Sequence, residues 1–222
     1  MKIKWYAHAS FLVEGDGLRI ITDPYDPVEM GFPVITESAD IVIRSSADDR
    51  GHCNAEMISG SPDVVTATEI IDTGATVRGL EVTAIPVLES IVHKDSPLDN
   101  GMYRFTVDGI KVGHMGDVGN PLTAEQIEAL RGVDVLFALA GGPPTIEIDD
   151  LAEALTKIKP RVVIPMHYKL PGTTLKMQPV TDLTDHFSAD TVTWIDGPEI
   201  ELSAETLPAE THIIVLKSSL VE

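Results

Sequence analysis

Side chains able to do chemistry gather in one polar stretch, Ser45 to Asn54, which reads Ser-Ser-Ala-Asp-Asp-Arg-Gly-His-Cys-Asn. Ser46 offers a hydroxyl, Asp48 a carboxylate, Arg50 a guanidinium, His52 an imidazole and Cys53 the single thiol of the chain. Two later segments, His114-Met115-Gly116-Asp117 and Met166-His167-Tyr168-Lys169, carry more of the same groups. Carboxylates and imidazoles together suit a divalent cation, whereas a hydroxyl beside a carboxylate and an imidazole suits nucleophilic attack. Ser46 near Asp48 is the one nucleophile candidate of the second kind, and no Ser-His-Asp or Cys-His arrangement can be placed around it. Cys53 has no helix start beside it and only Arg50 as a basic neighbour, so nothing marks an activated thiol. Gly141-Gly142-Pro143-Pro144 is a turn, not a phosphate-cradling loop.

The elements that would position these groups are mostly strands. Ile3 to Tyr6, Phe11 to Glu14 and Leu18 to Thr22 are strand-like, the last two joined across Gly15-Asp16-Gly17 as a hairpin. Asp40 to Arg44 is a buried, β-branched run that ends where the polar stretch begins. Val82 to Ile85, Met102 to Val107 and Ile110 to His114 continue the pattern, and Asp108-Gly109 is the type I′ hairpin signal. Thr123 caps a helix through Leu130, with Gln126 at the capping-box position. Ile148 to Ile158 has helical spacing at Leu151, Ala152, Leu155 and Ile158, and Pro160 ends it. Val133 to Leu139, Arg161 to Ile164, Val192 to Ile195 and His212 to Leu216 complete the strands of a mixed α/β chain.

Composition limits the rest. With 222 residues and 43% of them hydrophobic, the chain suits one domain with a sizeable core. A formal charge of −19 without any Lys/Arg cluster disfavours nucleic acid as a partner. No apolar run approaches the roughly 18 residues of a membrane span, and the N-terminus turns polar too early for a signal peptide. A single cysteine rules out an intrachain disulfide, and the expected compartment is the cytoplasm. The partners expected are a small-molecule substrate or ligand and a second copy of the chain, with no membrane.

Several segments resemble, in order across roughly residues 1 to 175, the metallo-β-lactamase superfamily. They are Trp5-Tyr6-Ala7-His8-Ala9-Ser10-Phe11, Ile21-Thr22-Asp23-Pro24, Ala39 to Ile43, His114-Met115-Gly116-Asp117-Val118-Gly119, and Val163-Ile164-Pro165-Met166-His167-Tyr168-Lys169. The branch resembled is that of small cytoplasmic hydrolases including the ascorbate-6-phosphate lactonase group. The resemblance implies a four-layer αββα sandwich over residues 1–222 and a metal-dependent hydrolase of a small ester, lactone or phosphate-bearing molecule.

The family holds one or two metals with a His-x-His-x-Asp-His loop, a later His, a bridging Asp and a final His. Residue by residue, the bridging position is Asp117 and the final one His167, both intact. Aligned on the preceding strand, Ser46 and Asp48 stand where the first two histidines would be. Arg50 then replaces the loop Asp, Gly51 its last His, and Glu89 the later His. His52 lies one residue beyond the loop, where a bulge would recruit it. His8 matches a position that is usually structural, and Asp23 one that supports the metal loop. His93, Tyr168 and Lys169 would line the pocket.

Two readings follow from that carry-over. In one, Asp48, Glu89, Asp117 and His167 hold a single divalent metal (Zn, Mn or Mg), oxygen-rich and so inclined to Mg²⁺ or Mn²⁺. In the other there is no metal: Arg50 pairs with Asp117 in its place, an attraction of about 4 kcal/mol before desolvation, and the chain binds a ligand or partner without catalysis. Asp48 and Arg50 are the catalytic candidates on this carry-over.

Overall fold

The computed structural model describes residues 1–89, 99–173 and 175–221, with Asp99 described by its backbone alone. The chain opens with β1 (Lys2–Ala7), β2 (Ser10–Gly15) and β3 (Leu18–Thr22), a one-turn helix α1 (Pro27–Met30), β4 (Ile41–Arg44) and β5 (Asp63–Thr66). It continues with β6 (Ala75–Val77), β7 (Leu80–Leu88), β8 (Asp99–Val107), β9 (Ile110–His114), α2 (Ala124–Leu130) and β10 (Val135–Leu139). Last come α3 (Ile148–Ile158), β11 (Val162–Met166), the short α4 (Thr181–Thr184), β12 (Val192–Trp194), β13 (Glu199–Glu201) and β14 (His212–Val215).

Local signals account for much of this. Both Asp-Gly turns place two successive residues at positive φ, Asp16 and Gly17 at 50° and 76°, Asp108 and Gly109 at 50° and 73°. That is the backbone a type I′ turn needs to match the twist of its strands. The two turn tips also bond each other, Asp16 N–H to Asp108 Oδ1 and Asp108 N–H to Asp16 Oδ2, both at 2.7 Å. The capping box forms as read: Gln126 N–H donates to Thr123 Oγ1 and Thr123 N–H to Gln126 Oε1.

The strands assemble into a six-stranded sheet, β13-β1-β2-β3-β4-β5, and an eight-stranded sheet, β12-β14-β11-β10-β9-β8-β7-β6. Strand alternation divides the first sheet's apolar residues between two cores. Phe11, Val13, Ile20, Ile41 and Ile43 face the second sheet, while Leu12, Ile21 and Val42 face a smaller cluster with Tyr25, Met30, Phe32 and Ile35. Strands β10 and β11 are buried at every position, as parallel strands covered on both faces must be. Phe11 stacks on Phe137 across the sheets, ring centroids 4.0 Å apart.

Helices α2 and α3 cover the eight-stranded sheet: Leu130 of α2 and Leu136 of β10 both close on Gly113. The result is the α/β sandwich expected, with one asymmetry. The outer face of the six-stranded sheet is covered by α1, a 3₁₀ turn at Ala55–Met57 and irregular chain. Strands β5, β6 and β13, of three or four residues each, are additions to the strands expected from the sequence. Strand β13 pairs with β1, Glu199 to Glu201 against Lys4 to Lys2, a contact no local window contains. Among the described residues no helix is long and apolar enough to cross a membrane.

Candidate metal centre

The chemistry converges at one edge shared by the two sheets. Strands β1, β3 and β4 run one way in the first sheet, and β7, β9 and β11 do so in the second. Their C-terminal ends release His8, Asp23, the loop after β4, Glu89, Asp117 and His167. His8, Asp23 and His167 have positive φ (53°, 37° and 57°), a conformation costly for side chains other than glycine. His167 N–H donates to the His8 carbonyl at 3.0 Å and locks the sheets together at this edge.

The loop after β4 is built from two small turns. Ser46 Oγ accepts the N–H groups of Asp48 and Asp49 (3.4 and 3.3 Å) and donates to Asp48 Oδ1 at 3.0 Å. Asp49 Oδ1 then accepts Gly51 N–H at 2.9 Å, and His52 N–H donates to the Asp49 carbonyl. This winding sends Asp49 and His52 inward and Asp48 and Arg50 outward.

At the centre, His52 Nε2 lies 3.8 Å from Asp49 Oδ2 and 3.6 Å from Asp117 Oδ1, while His167 Nε2 is 3.3 Å from the same Asp117 oxygen. Asp49 Oδ2, His52 Nε2 and Asp117 Oδ1 are buried without a hydrogen-bond partner. One nitrogen from each of His8, His52 and His167 forms a second close group overlapping the first.

Asp23 holds the centre from behind. Fully buried, it accepts Ser45 N–H (2.8 Å), Ser45 Oγ–H (2.7 Å), Tyr103 O–H (2.9 Å) and His52 Nδ1–H (2.6 Å). The last bond fixes the His52 tautomer and aims Nε2 at the carboxylates. Asp117 is positioned by its N–H, which donates to Asn100 Oδ1 at 3.1 Å. His114 is structural: its Nε2 bonds the Ala9 carbonyl, its Nδ1 accepts Gly116 N–H, and its ring stacks on Tyr103.

The electrostatics are those of a cation-seeking pocket. Burial would lower the His52 pKa, but the Asp49, Asp117 and Asp23 carboxylates outweigh it and lift it to about 10. Burial, with Asp49 and Glu89 nearby, raises Asp117 to about 7. Burial also raises Glu89 to about 7, assisted by Asp49. His167 falls to about 3 because burial and the His52 charge both oppose its protonation. Carboxylates outnumber the positive charge among them, so a bound cation would relieve their repulsion.

The structure therefore joins Asp117, His167 and His52, and redistributes the other residues read from the sequence. Arg50 is 67% exposed and donates to Glu29 at 3.1 Å, with Asp26 at 4.0 Å. It makes no pair with Asp117, because an outward guanidinium keeps its hydration and finds carboxylates on α1. The reading in which Arg50 stands in for the ion loses its geometric basis. Asp48 is exposed and Ser46 is buried within its turn, so neither reaches the cluster. Glu89 is close enough for Asp49 and His52 to act on its charge but is not among the close donor groups.

Tyr168 turns the opposite way from His167, packs on Trp5 and bonds the Leu216 carbonyl. It lines a separate groove with Leu170, Trp194 and Val215 instead of this pocket. Lys169 is exposed, with its backbone bonded to Gln178. His93 lies outside the described residues. Asp49 and His8 were missed by the carry-over; the spacing Asp49-x-x-His52, which one tight turn brings together, is the signal for the first.

Arg50→Ala is expected to change stability by less than about 0.5 kcal/mol and to leave metal content unaltered, checked by urea denaturation and elemental analysis. Gly141→Ala is expected to cost about 1–3 kcal/mol in the same denaturation, since a Cβ there would stand 2.1 Å from the His167 carbonyl oxygen. An unchanged midpoint would mean that this crossing point of the chain is looser than the contact implies.

Residues 2–167 match the β-lactamase superfamily domain model. A UPF0173 protein of Pyrococcus furiosus is 32% identical over 182 residues, covering 76% of this chain and 83% of that protein. A UPF0173 metal-dependent hydrolase of Thermoplasma acidophilum is 30% identical over 190 residues, with 76% and 83% covered. A Thermotoga maritima crystal structure, of a protein with a proposed zinc-dependent hydrolase function in the metallo-β-lactamase superfamily, aligns with a TM-score of 0.76 at 28% identity over 98% and 99% of the two chains. By fold, by site location and by these likenesses, the chain belongs to the β-lactamase superfamily, in the branch that holds the small UPF0173 proteins.

Proposed function

We propose that this chain is a metal-dependent hydrolase of a small ester, lactone or phosphate-bearing substrate, its cation held by Asp49, His52, Asp117 and His167. The observation that carries the reading is the set of three buried, unpartnered donor atoms, Asp49 Oδ2, His52 Nε2 and Asp117 Oδ1, spaced 3.6 and 3.8 Å from one to the next. Two donors bound to one ion at about 2.1 Å in tetrahedral geometry lie roughly 3.4 Å apart, so Asp49, His52 and Asp117 fit a metal with little movement, and His167 Nε2 stands 3.3 Å from Asp117 Oδ1. Left unfilled, each such atom would cost about 1–3 kcal/mol of desolvation. Two carboxylates and two imidazoles suit Zn²⁺ or Mn²⁺ better than Mg²⁺.

A bound divalent cation supplies Lewis acidity, polarising the scissile bond and easing ionisation of water. The chain's own residues do the rest. Asp23 orients His52 through Nδ1, Asn100 seats Asp117, and Glu89 brings a carboxyl to the pocket where it can exchange a proton with a leaving oxygen. This arrangement supports that substrate class, because the carbonyl or phosphoryl oxygen of such a bond can lie against a cation.

The test is elemental analysis of the dialysed protein, followed by assays on esters, lactones and phosphodiesters before and after chelation. About one metal per chain, with hydrolysis lost on chelation and restored by Zn²⁺ or Mn²⁺, supports the reading. Failure to take up either metal would remove it.

A further inference from the structure

We infer that His8 is a ligand of this centre, a third imidazole beside His52 and His167, so that the site selects a nitrogen-seeking cation of the Zn²⁺ class over Mg²⁺ or Ca²⁺. The inference rests on the proposed metal function but concerns a residue outside its four-donor set.

Four observations support it. First, His8 is held rigidly in the turn between β1 and β2: its carbonyl accepts both Trp5 Nε1–H at 3.1 Å and His167 N–H at 3.0 Å. Second, its ring is buried in the cluster, with centroids 4.9 Å from His52 and 3.8 Å from His167. Third, its Nδ1 is buried and has no hydrogen-bond partner. A histidine kept only for packing normally satisfies its ring nitrogens, because an orphaned one costs about 1–3 kcal/mol. Fourth, space is reserved for the ring, since a Cβ on Gly51 would stand 3.0 Å from His8 Nε2.

One nitrogen from each of the three rings lies within 4.8 Å of the other two. Imidazoles sharing a tetrahedral ion have centroids roughly 5 Å apart. The His8–His52 and His52–His167 spacings, 4.9 and 5.6 Å, match that figure, and the His8–His167 spacing of 3.8 Å must open by roughly 1 Å on loading. The three imidazoles form one close donor group, all nitrogen, which shares His52 with the group of Asp49 and Asp117. Imidazole suits Zn²⁺ and its first-row neighbours, while Mg²⁺ and Ca²⁺ take oxygen.

The test compares wild type with His8→Asn, which tolerates the positive φ, and with His8→Gln. Zn²⁺ affinity is measured by competition with a chromophoric chelator, and the visible absorption of the Co²⁺-loaded protein reports the ligand set directly. The expected result is at least a tenfold weaker Zn²⁺ affinity and an altered Co²⁺ spectrum in both variants, with the melting temperature of the chelated protein little changed. Wild-type affinity and an unchanged spectrum in either folded variant would overturn the role of His8 and leave the four-donor reading standing. A wild type that binds neither ion would overturn both. Should the variants not fold, imidazole ¹⁵N shifts of wild-type His8 during Zn²⁺ titration decide it: a shift to metal-bound values supports the assignment, and none refutes it.

Discussion

His52→Ala is expected to empty the centre, so that metal per chain after dialysis falls from about one to near zero and hydrolysis falls about 10³-fold or more. The loop after β4 carries one imbedded imidazole, and its Nε2 stands between Asp49 Oδ2 and Asp117 Oδ1. Truncation removes both a donor and the charge that faces the surrounding carboxylates. Losing the cation forfeits several kcal/mol of transition-state stabilisation, and each 1.36 kcal/mol is tenfold in rate. Elemental analysis and kcat/KM measured on one preparation check it. Metal retained at wild-type stoichiometry would show that His52 is no ligand and that Asp23 holds it for a structural purpose.

Asp23→Ala is expected to be the most destabilising single change at this edge, about 3–5 kcal/mol. The substitution strands Ser45 N–H and Oγ–H, Tyr103 O–H and His52 Nδ1–H around a cavity sealed from water. In a domain of this size that lowers the melting temperature by about 10 °C or more. The milder Asp23→Asn keeps the shape but offers an amide to His52 Nδ1–H, and is expected to weaken metal affinity about 10- to 100-fold.

The same residue gives a pH dependence. Burial would raise its pKa, but His114, His52 and Ser45 outweigh it and hold it below the ordinary carboxylate value. Its contribution is therefore complete above the unfolded carboxylate pKa and lost as the pH falls through the folded one. Urea midpoints of wild type and Asp23→Asn should converge in acid. A difference below about 1 kcal/mol between wild type and Asp23→Ala at neutral pH would sink this account.

Local rules were enough for part of the molecule. Asp-Gly pairs fixed two hairpins, Thr123 and Gln126 a helix start, and apolar spacing the helix from Ile148 to Ile158. The runs ending at His114 and Met166 placed Asp117 and His167 at strand ends, where a strand's last residue hands the next side chain to the sheet edge. Which residues of Ser45 to Asn54 face inward depends instead on how the loop winds in three dimensions. A loop has no periodicity, so counting positions from β4 selected Asp48 and Arg50. The side-chain bonds of Ser46 and Asp49 wind the backbone so that Asp49 and His52 point in. Asp23 was legible as a support of the loop only through the resemblance, and His8 only as a structural residue. Their partners, Tyr103 in the one case and His167 in the other, lie on the second sheet and meet them only when the sheets pack.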